Sequence, residues 1–190
     1  MRRKLRAVDI FAPMRVASPP AVTFGRSLLP VWLATAAWDF ACATALSVFA
    51  YGGTAAGLWR GVAATALGPT ALQGGAPAVA AGIALHLAVA FTWSFVFLAA
   101  ARARPAIRRW IRSPAGALAV AAVYGPVIWL VMSLAVIPLA TGRPPGFGFR
   151  WWVQIFAHVP FVTIPLVFTA RHVLRNEASP TLARPTASAA

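Results

Sequence analysis

The pattern of apolar positions divides the chain into four long stretches separated by shorter polar or basic segments. The stretches cover residues 28–50, 78–101, 114–140 and 151–170. A helix needs roughly 20 mostly apolar residues to cross the hydrocarbon core of a bilayer, which is about 30 Å thick. Each stretch therefore predicts one transmembrane helix. A membrane β-barrel would instead need alternating segments of about ten residues in a longer chain.

The composition supports a membrane protein of one domain. Of the 190 residues, 60% are hydrophobic and 11% are charged, and the mean hydropathy is +0.74. Soluble domains carry about 25% charged residues, so an ordinary soluble enzyme is excluded. The single cysteine also excludes a disulfide-stabilised scaffold. We predict a basic N-terminal segment at 1–27, a transmembrane domain at 28–171 and a mobile tail at 172–190.

The basic residues are distributed unevenly between the predicted loops. Most lie in the N-terminal segment, between the second and third stretches, or in the tail. Only Arg60, Arg143 and Arg150 lie on the other side of the predicted membrane. Because cytoplasmic segments are enriched in lysine and arginine, both termini are predicted to be cytoplasmic. The four helices should then form an antiparallel all-α bundle.

The net charge of +14 raises the question of nucleic-acid binding. The basic residues fall where membrane orientation requires them, and no nucleic-acid recognition motif accompanies them. We therefore predict contact with anionic lipid headgroups and no nucleic-acid partner. A second copy of the chain or another membrane protein stays open as a partner.

The connection at residues 51–77 is long and partly apolar. It contains Leu58, Trp59, Val62 and Leu67 and has glycines at both ends. This pattern predicts a short interfacial or re-entrant helix over about residues 57–67. Two interpretations stay open: an amphipathic flap on the headgroups, or a lid over a site between the helices. Arg60 and Gln73 are the strong polar groups of the segment.

Small residues four positions apart recur on three of the predicted helices. Such spacing lets helix backbones approach closely in a membrane. The rows predict three packing faces, which are Ala37, Ala41 and Ala45, then Ala80, Ala84 and Ala88, and finally Ala117, Ala121 and Gly125.

Three ionisable residues lie inside the predicted spans: Asp39, His86 and His158. At about 1.5 Å per residue they lie roughly 16, 12 and 10 Å from the outer boundary. Ser133 falls near the same level, and Gln154 lies one turn above His158. We therefore predict a polar layer to which all four helices contribute. Intramembrane ionisable groups are costly, so this layer is the principal functional candidate.

The predicted layer admits several chemistries. Asp39 could pair with His86 or His158 as a hydrogen-bonded clasp or as part of a proton or ion relay. The two histidines could also ligate haem, and together with Asp39 they have suitable donors for zinc. No catalytic motif with an identifiable context occurs, so we expect a non-enzymatic protein.

Several pieces of sequence, in order, carry a family resemblance across about residues 30–176. They are WDFACA, LQGG, GIALHLAVAF, YGPVIWLVM, IPLATGRPP, VQIFAHVPF and RHVLRN. The chain resembles the YagU-like family of small four-helix proteins of the bacterial inner membrane. Ser133 departs from the more polar amide expected there, and the last helix lacks acidic residues that some relatives carry.

The resemblance supports the topology and the choice of Asp39, His86 and His158. It implies a structural or accessory role, possible membership of a larger complex, and for some members an association with acid tolerance or envelope stress. The alternative function is proton or ion handling, or binding of a cofactor, by the same three residues.

Overall fold

The computed structural model describes residues 22–178, and within them every regular element is helical. Four helices of this part are long and apolar enough to cross a membrane. They are Phe24–Ala50, Ala76–Ala103, Pro114–Thr141 and Phe149–Glu177, here called the first to fourth spans. The predicted all-α fold with four spans is confirmed. Expectations for residues 1–21 and 179–190 lie outside the described part of the chain.

Three of the spans combine α-helix with a wider π-helical turn. The first span joins α1 (Val22–Ala45) to a π-helical segment at Leu46–Ala50. The second span is α3 (Ala76–Ala103), preceded by α2 (Ala55–Leu67) and a 3₁₀ turn at Pro69–Gln73. A short helix, α4 (Pro105–Trp110), links the second and third spans.

The remaining two spans are each interrupted by a π-helical segment, towards the end of the third span and near the middle of the fourth. The third span consists of α5 (Pro114–Val131), a π-helical segment at Met132–Val136 and α6 (Ile137–Thr141). The fourth consists of α7 (Phe149–His158), a π-helical segment at Val159–Thr163 and α8 (Ile164–Ala178). Residues 172–178 of the predicted tail belong to this last helix. These residues extend the helix because Leu174 packs into the core with 5% exposure.

Prolines accompany the π-helical segments of the third and fourth spans. Pro138 follows one segment and Pro160 lies within the other, and neither has an N–H for the helical ladder. At the end of the second of these segments, the Thr163 hydroxyl donates to the Ala121 carbonyl at 2.7 Å in the neighbouring helix. This hydrogen bond ties the wide turn of the fourth span to α5.

The two ends of the bundle are packed differently. One end, here called the arginine end, has Arg102, Arg112 and Arg171 close to the ends of the spans, and a continuous hydrophobic core lies beside it. That core consists of Leu28, Val31, Phe97, Leu98, Ala101, Ile111, Ala117, Ala121, Leu166, Val167, Ala170 and Leu174. The opposite end carries α2 and is called the α2 end.

One of the three predicted rows of small residues lies at a helix contact. Ala117 and Ala121 are fully buried, and a Cβ on Gly125 would lie 3.0 Å from backbone and side-chain atoms of the fourth span. The rows on the first and second spans are wrong as packing faces, since their alanines are exposed on the bundle surface: Ala37, Ala41, Ala45, Ala80, Ala84 and Ala88. In an alanine-rich chain, this spacing arises without a helix contact.

The helix predicted in the long connection is present as α2, and it packs against α3. Trp59 and Ala63 are 3% and 1% exposed. The closest approach is at Gly82, where a Cβ would lie only 1.8 Å from the Trp59 carbonyl oxygen. Only a glycine allows the two backbones to come this close. The helix is therefore an integral part of the bundle at the α2 end.

Candidate functional site

A cavity of about 310 Å³ lies between the helices at the α2 end. This volume is at the lower end of the range for small-molecule sites. The walls come from α2 and all four spans, the first span contributing Asp39, and most of the lining side chains are apolar. The polar exceptions include Asp39, His86 and His158. The structure thus places all three ionisable residues of the predicted layer around one space.

Asp39 and His86 face each other on one wall. The His86 Nδ1 lies 3.7 Å from the Asp39 carboxylate oxygen, which is too long for a hydrogen bond. The other ring nitrogen, Nε2, is 3.2 Å from the Ala36 carbonyl oxygen. A carbonyl only accepts, so this contact requires the proton on Nε2.

The tautomer has a consequence for the pair. When His86 is neutral, its Nδ1 presents a lone pair towards the Asp39 carboxyl group, and two lone pairs repel unless a proton lies between them. At 3.7 Å the two groups make no direct hydrogen bond, so the Asp39 carboxyl group can still accept a donor from a ligand.

His158 lines the cavity from the fourth span. Its Nδ1 donates to the Gln154 carbonyl oxygen at 2.7 Å, so a neutral ring has its accepting nitrogen at Nε2. The ring lies 5.1 Å from the Trp129 ring, between centroids. Trp129 is held in turn by a hydrogen bond from its Nε1 to the Trp151 carbonyl oxygen at 3.1 Å. The orientation of His158 is thus fixed on two sides.

Helix α2 fixes the other histidine. The Trp59 ring stacks on Phe40 with centroids 4.5 Å apart, and it meets the edge of His86 at 5.1 Å. The same helix contributes Val62, Thr65 and Ala66 to the cavity lining. Helix α2 therefore forms a wall of the cavity, and the lid interpretation of the long connection stays a prediction.

Two other residues of the predicted layer do not line the cavity. Ser133 is 5% exposed, and its hydroxyl has no hydrogen-bond partner among the described residues. Gln154 contributes its backbone carbonyl to His158, and its side chain is not part of the cavity lining. The polar layer therefore consists of one carboxyl group and two imidazoles from three helices.

The polar residues of the connection point elsewhere. Arg60 donates from Nε to the Ala56 carbonyl at 3.3 Å and from Nη1 to the Gly74 carbonyl at 3.4 Å. Both distances are long for such bonds. Gln73 ends the 3₁₀ turn and is exposed. Neither residue lines the cavity.

The metal and haem hypotheses receive no geometric support from these residues. Within the part of the chain that the structure describes, no three His, Cys, Asp or Glu side chains are grouped closely enough to hold a metal ion. Axial haem ligation through the Nε2 of His86 would first have to break its contact with Ala36.

Sequence reasoning missed the aromatic walls of the site. Trp93 and Trp129 line the cavity, and Trp59 holds His86 in place. Trp93 and Trp129 lie well inside the second and third spans, where an aromatic residue is equally compatible with lipid, core or cavity, so their positions carry no signal for a cavity.

Comparisons of the chain with protein-family models, with curated proteins and with solved structures found no match. The resemblance to the YagU-like family stays a prediction, and the geometry of the cavity is the basis for a functional assignment.

Proposed function

We propose that the chain is a non-enzymatic integral membrane protein whose cavity binds a small, largely apolar molecule with a hydrogen-bond-donating group. A primary amine in its ammonium form fits best. The observation that carries this proposal is the Asp39 carboxyl group, which faces the cavity and is 3.7 Å from its nearest polar partner in residues 24–177.

The chemistry of the walls supports a donor on the ligand. A carboxyl group without hydrogen bonds in an apolar cavity is unfavourable, and an ammonium group would supply both charge and donors. The Nε2 of His158 offers a second acceptor when that ring is neutral. Trp93 and Trp129 add ring faces, which attract cations. Acceptors within aromatic and aliphatic walls favour an apolar amine over an apolar acid.

The setting of this function follows the sequence expectations. We propose a bacterial inner membrane, cytoplasmic termini and membership of the YagU-like family. The distribution of arginines supports the orientation, because in the described residues Arg60, Arg143 and Arg150 are the basic residues at the α2 end. The cavity would then open towards the outer half of the bilayer. The role in the cell would be accessory, with ligand binding as its molecular basis.

Binding of benzylamine and benzoate to the purified protein in detergent tests the proposal. The two probes have the same ring and opposite charge. We expect benzylamine to raise the unfolding temperature and benzoate to leave it unchanged. Asp39→Asn preserves the shape of the side chain and should weaken benzylamine binding about tenfold or more, since it removes the charge. Equal binding of both probes, or unchanged binding in Asp39→Asn, would contradict the proposal.

A cavity-filling pair of variants locates the bound probe. Ala66→Phe places a ring in the cavity, whereas Ala64→Phe makes the same change two residues away on α2, outside the lining. We expect benzylamine binding to be lost only in Ala66→Phe. Loss in both variants would indicate a general disturbance of α2, and loss in neither would place the probe elsewhere.

The proximity of the two titratable groups Asp39 and His86, 3.7 Å apart, favours one second candidate, a proton relay. This candidate predicts proton flux into liposomes that contain the protein, and Asp39→Asn should abolish that flux. If Asp39→Asn shifts only the thermal stability, with no probe bound and no flux, the layer is a structural clasp between the first and second spans.

A further inference from the structure

Four arginines surround a small pocket at the arginine end of the bundle. Arg108 belongs to α4, Arg112 to the following turn, and Arg171 and Arg175 lie one helical turn apart on α8. The pocket has a volume of about 50 Å³, so it suits a compact group such as a phosphate better than a whole small molecule.

The base of this pocket is rigid. Ile111 and Leu174 line it, and both belong to the hydrophobic core, with exposures of 2% and 5%. Arg171 is held by two hydrogen bonds to the Arg112 carbonyl oxygen, from Nε at 3.2 Å and from Nη2 at 3.1 Å. These bonds fix α8 against the turn before α5. Four arginines thus line a pocket with a packed apolar base, and one of them, Arg171, is held in place by hydrogen bonds.

No carboxylate of the described chain compensates these charges. The sequence has three acidic residues. Asp39 lies at the α2 end, and Glu177 pairs with Arg102 at 2.5 Å. The third, Asp9, lies outside the described residues. Four like charges at one pocket favour an anion with several oxygens, and planar guanidinium groups bind phosphate by paired hydrogen bonds.

An apolar groove also begins at α4. It has a volume of about 260 Å³ and runs between α3 and α5, with Ile107 and Trp110 of α4 at its rim. Helix α4 therefore lines both spaces, the arginine pocket through Arg108 and the apolar groove through Ile107 and Trp110. A molecule with a phosphate and attached hydrocarbon chains matches this combination, whereas free phosphate would use the pocket alone.

We infer that Arg108, Arg112, Arg171 and Arg175 form a specific site for the phosphate of an anionic phospholipid, whose acyl chains follow the groove between α3 and α5. The site lies at the ends of the spans, where lipid headgroups are located. It does not depend on the cavity at the α2 end, so either assignment can fail without the other.

Lipid binding by variants of the full chain in detergent tests this inference. The probe is phosphatidylglycerol, with phosphatidylcholine and inorganic phosphate as comparisons, and native mass spectrometry counts the lipids that stay bound. The variant Arg108→Gln with Arg175→Gln removes two charges from the pocket. The control Arg104→Gln with Arg109→Gln removes two charges from exposed positions in the same region, outside the pocket.

We expect one tightly bound phosphatidylglycerol in the wild type and in the control. Its affinity should fall about tenfold or more in the pocket variant, because two guanidinium partners are lost. An equal loss in the control would show diffuse attraction and overturn the site. Binding of inorganic phosphate as strong as that of the lipid would overturn the phospholipid assignment.

A second double variant distinguishes loss of the site from misfolding. Arg108→Lys with Arg175→Lys keeps the charge and loses the planar donors, and we expect an intermediate loss of phosphatidylglycerol. If the lysine variant binds phosphatidylcholine and phosphatidylglycerol equally while the protein is still helical, the inference is wrong.

Discussion

The two ends of the bundle differ in what fills the space between the helices. At the arginine end, twelve buried side chains from all four spans form one continuous core. At the α2 end, the same four spans enclose a cavity of about 310 Å³. Asp39, His86 and His158 all line this cavity. Close packing thus fills the space between the helices at one end, whereas the other end leaves a cavity with titratable side chains in its walls.

The π-helical turns follow the same division. The segments at Leu46–Ala50 and Met132–Val136 lie towards the α2 end, and Val159–Thr163 lies near the middle of its span. Wide turns of this kind are costly and occur often at functional sites. The packed end thus holds the spans together, while the irregular end keeps a cavity open.

The largest expected effect is on the contact that closes the cavity. Gly82→Ala places a Cβ 1.8 Å from the Trp59 carbonyl oxygen, so α2 must move away from α3. We expect a loss of about 3 kcal/mol in the free energy of unfolding, measured in detergent or bicelles. Gly61→Ala is the control, because a Cβ there meets no atom within 4 Å. A neutral Gly82→Ala would mean that α2 is not docked as described.

Matched leucines on α3 compare the two ends directly. Leu98 is fully buried in the core, whereas Leu85 is partly buried and lines the cavity. We expect Leu98→Ala to cost about 2 kcal/mol, because it leaves a void in a close-packed region. Leu85→Ala should cost clearly less, since it only enlarges an existing cavity. Equal losses of stability would contradict the proposed difference between the ends.

A smaller effect is expected at the hydrogen bond between the fourth span and α5. Thr163→Val removes the hydroxyl that donates to Ala121 and should cost about 1 kcal/mol. Thr163→Ser keeps the hydroxyl and should preserve most of that contribution. The free energy of unfolding is measured for both variants. Equal losses would show that packing, and not the hydrogen bond, accounts for the destabilisation.

The smallest effect is expected at Arg60. Its hydrogen bonds to Ala56 and Gly74 are long, and its side chain does not line the cavity. We expect Arg60→Ala to change the free energy of unfolding by less than about 0.5 kcal/mol. Benzylamine binding should also stay unchanged. A loss of stability much larger than that of the exposed control Arg143→Ala would show that Arg60 holds α2 in place.

The fold could be predicted from the sequence because span length and hydropathy follow from bilayer thickness. The predicted spans agree with the structure except at the end of the fourth, where the helix continues through residues 171–178. The depth of Asp39, His86 and His158 also follows from helical rise alone. Depth does not give the direction in which a side chain points. A uniformly apolar helix carries little information about which of its faces contacts lipid and which contacts the other helices. Ser133 therefore lies at a similar level without reaching the cavity.

The residues that form the cavity walls could not be predicted from the sequence, for a related reason. Trp93 and Trp129 line the cavity because of how the second and third spans are rotated about their axes, and an apolar pattern does not give that rotation. The close approach at Gly82 depends on α2 lying across α3, and a single glycine in a helix does not reveal that contact. Such features arise from packing between distant segments.

The most direct test of the central claim is a structure of the protein in lipid with 4-bromobenzylamine, in which anomalous scattering locates the bromine. The account predicts the bromine in the cavity between Trp93 and Trp129, with the amine towards the Asp39 carboxyl group. A bromine bound only on the lipid-facing surface, or a cavity filled by repacked side chains, would contradict it.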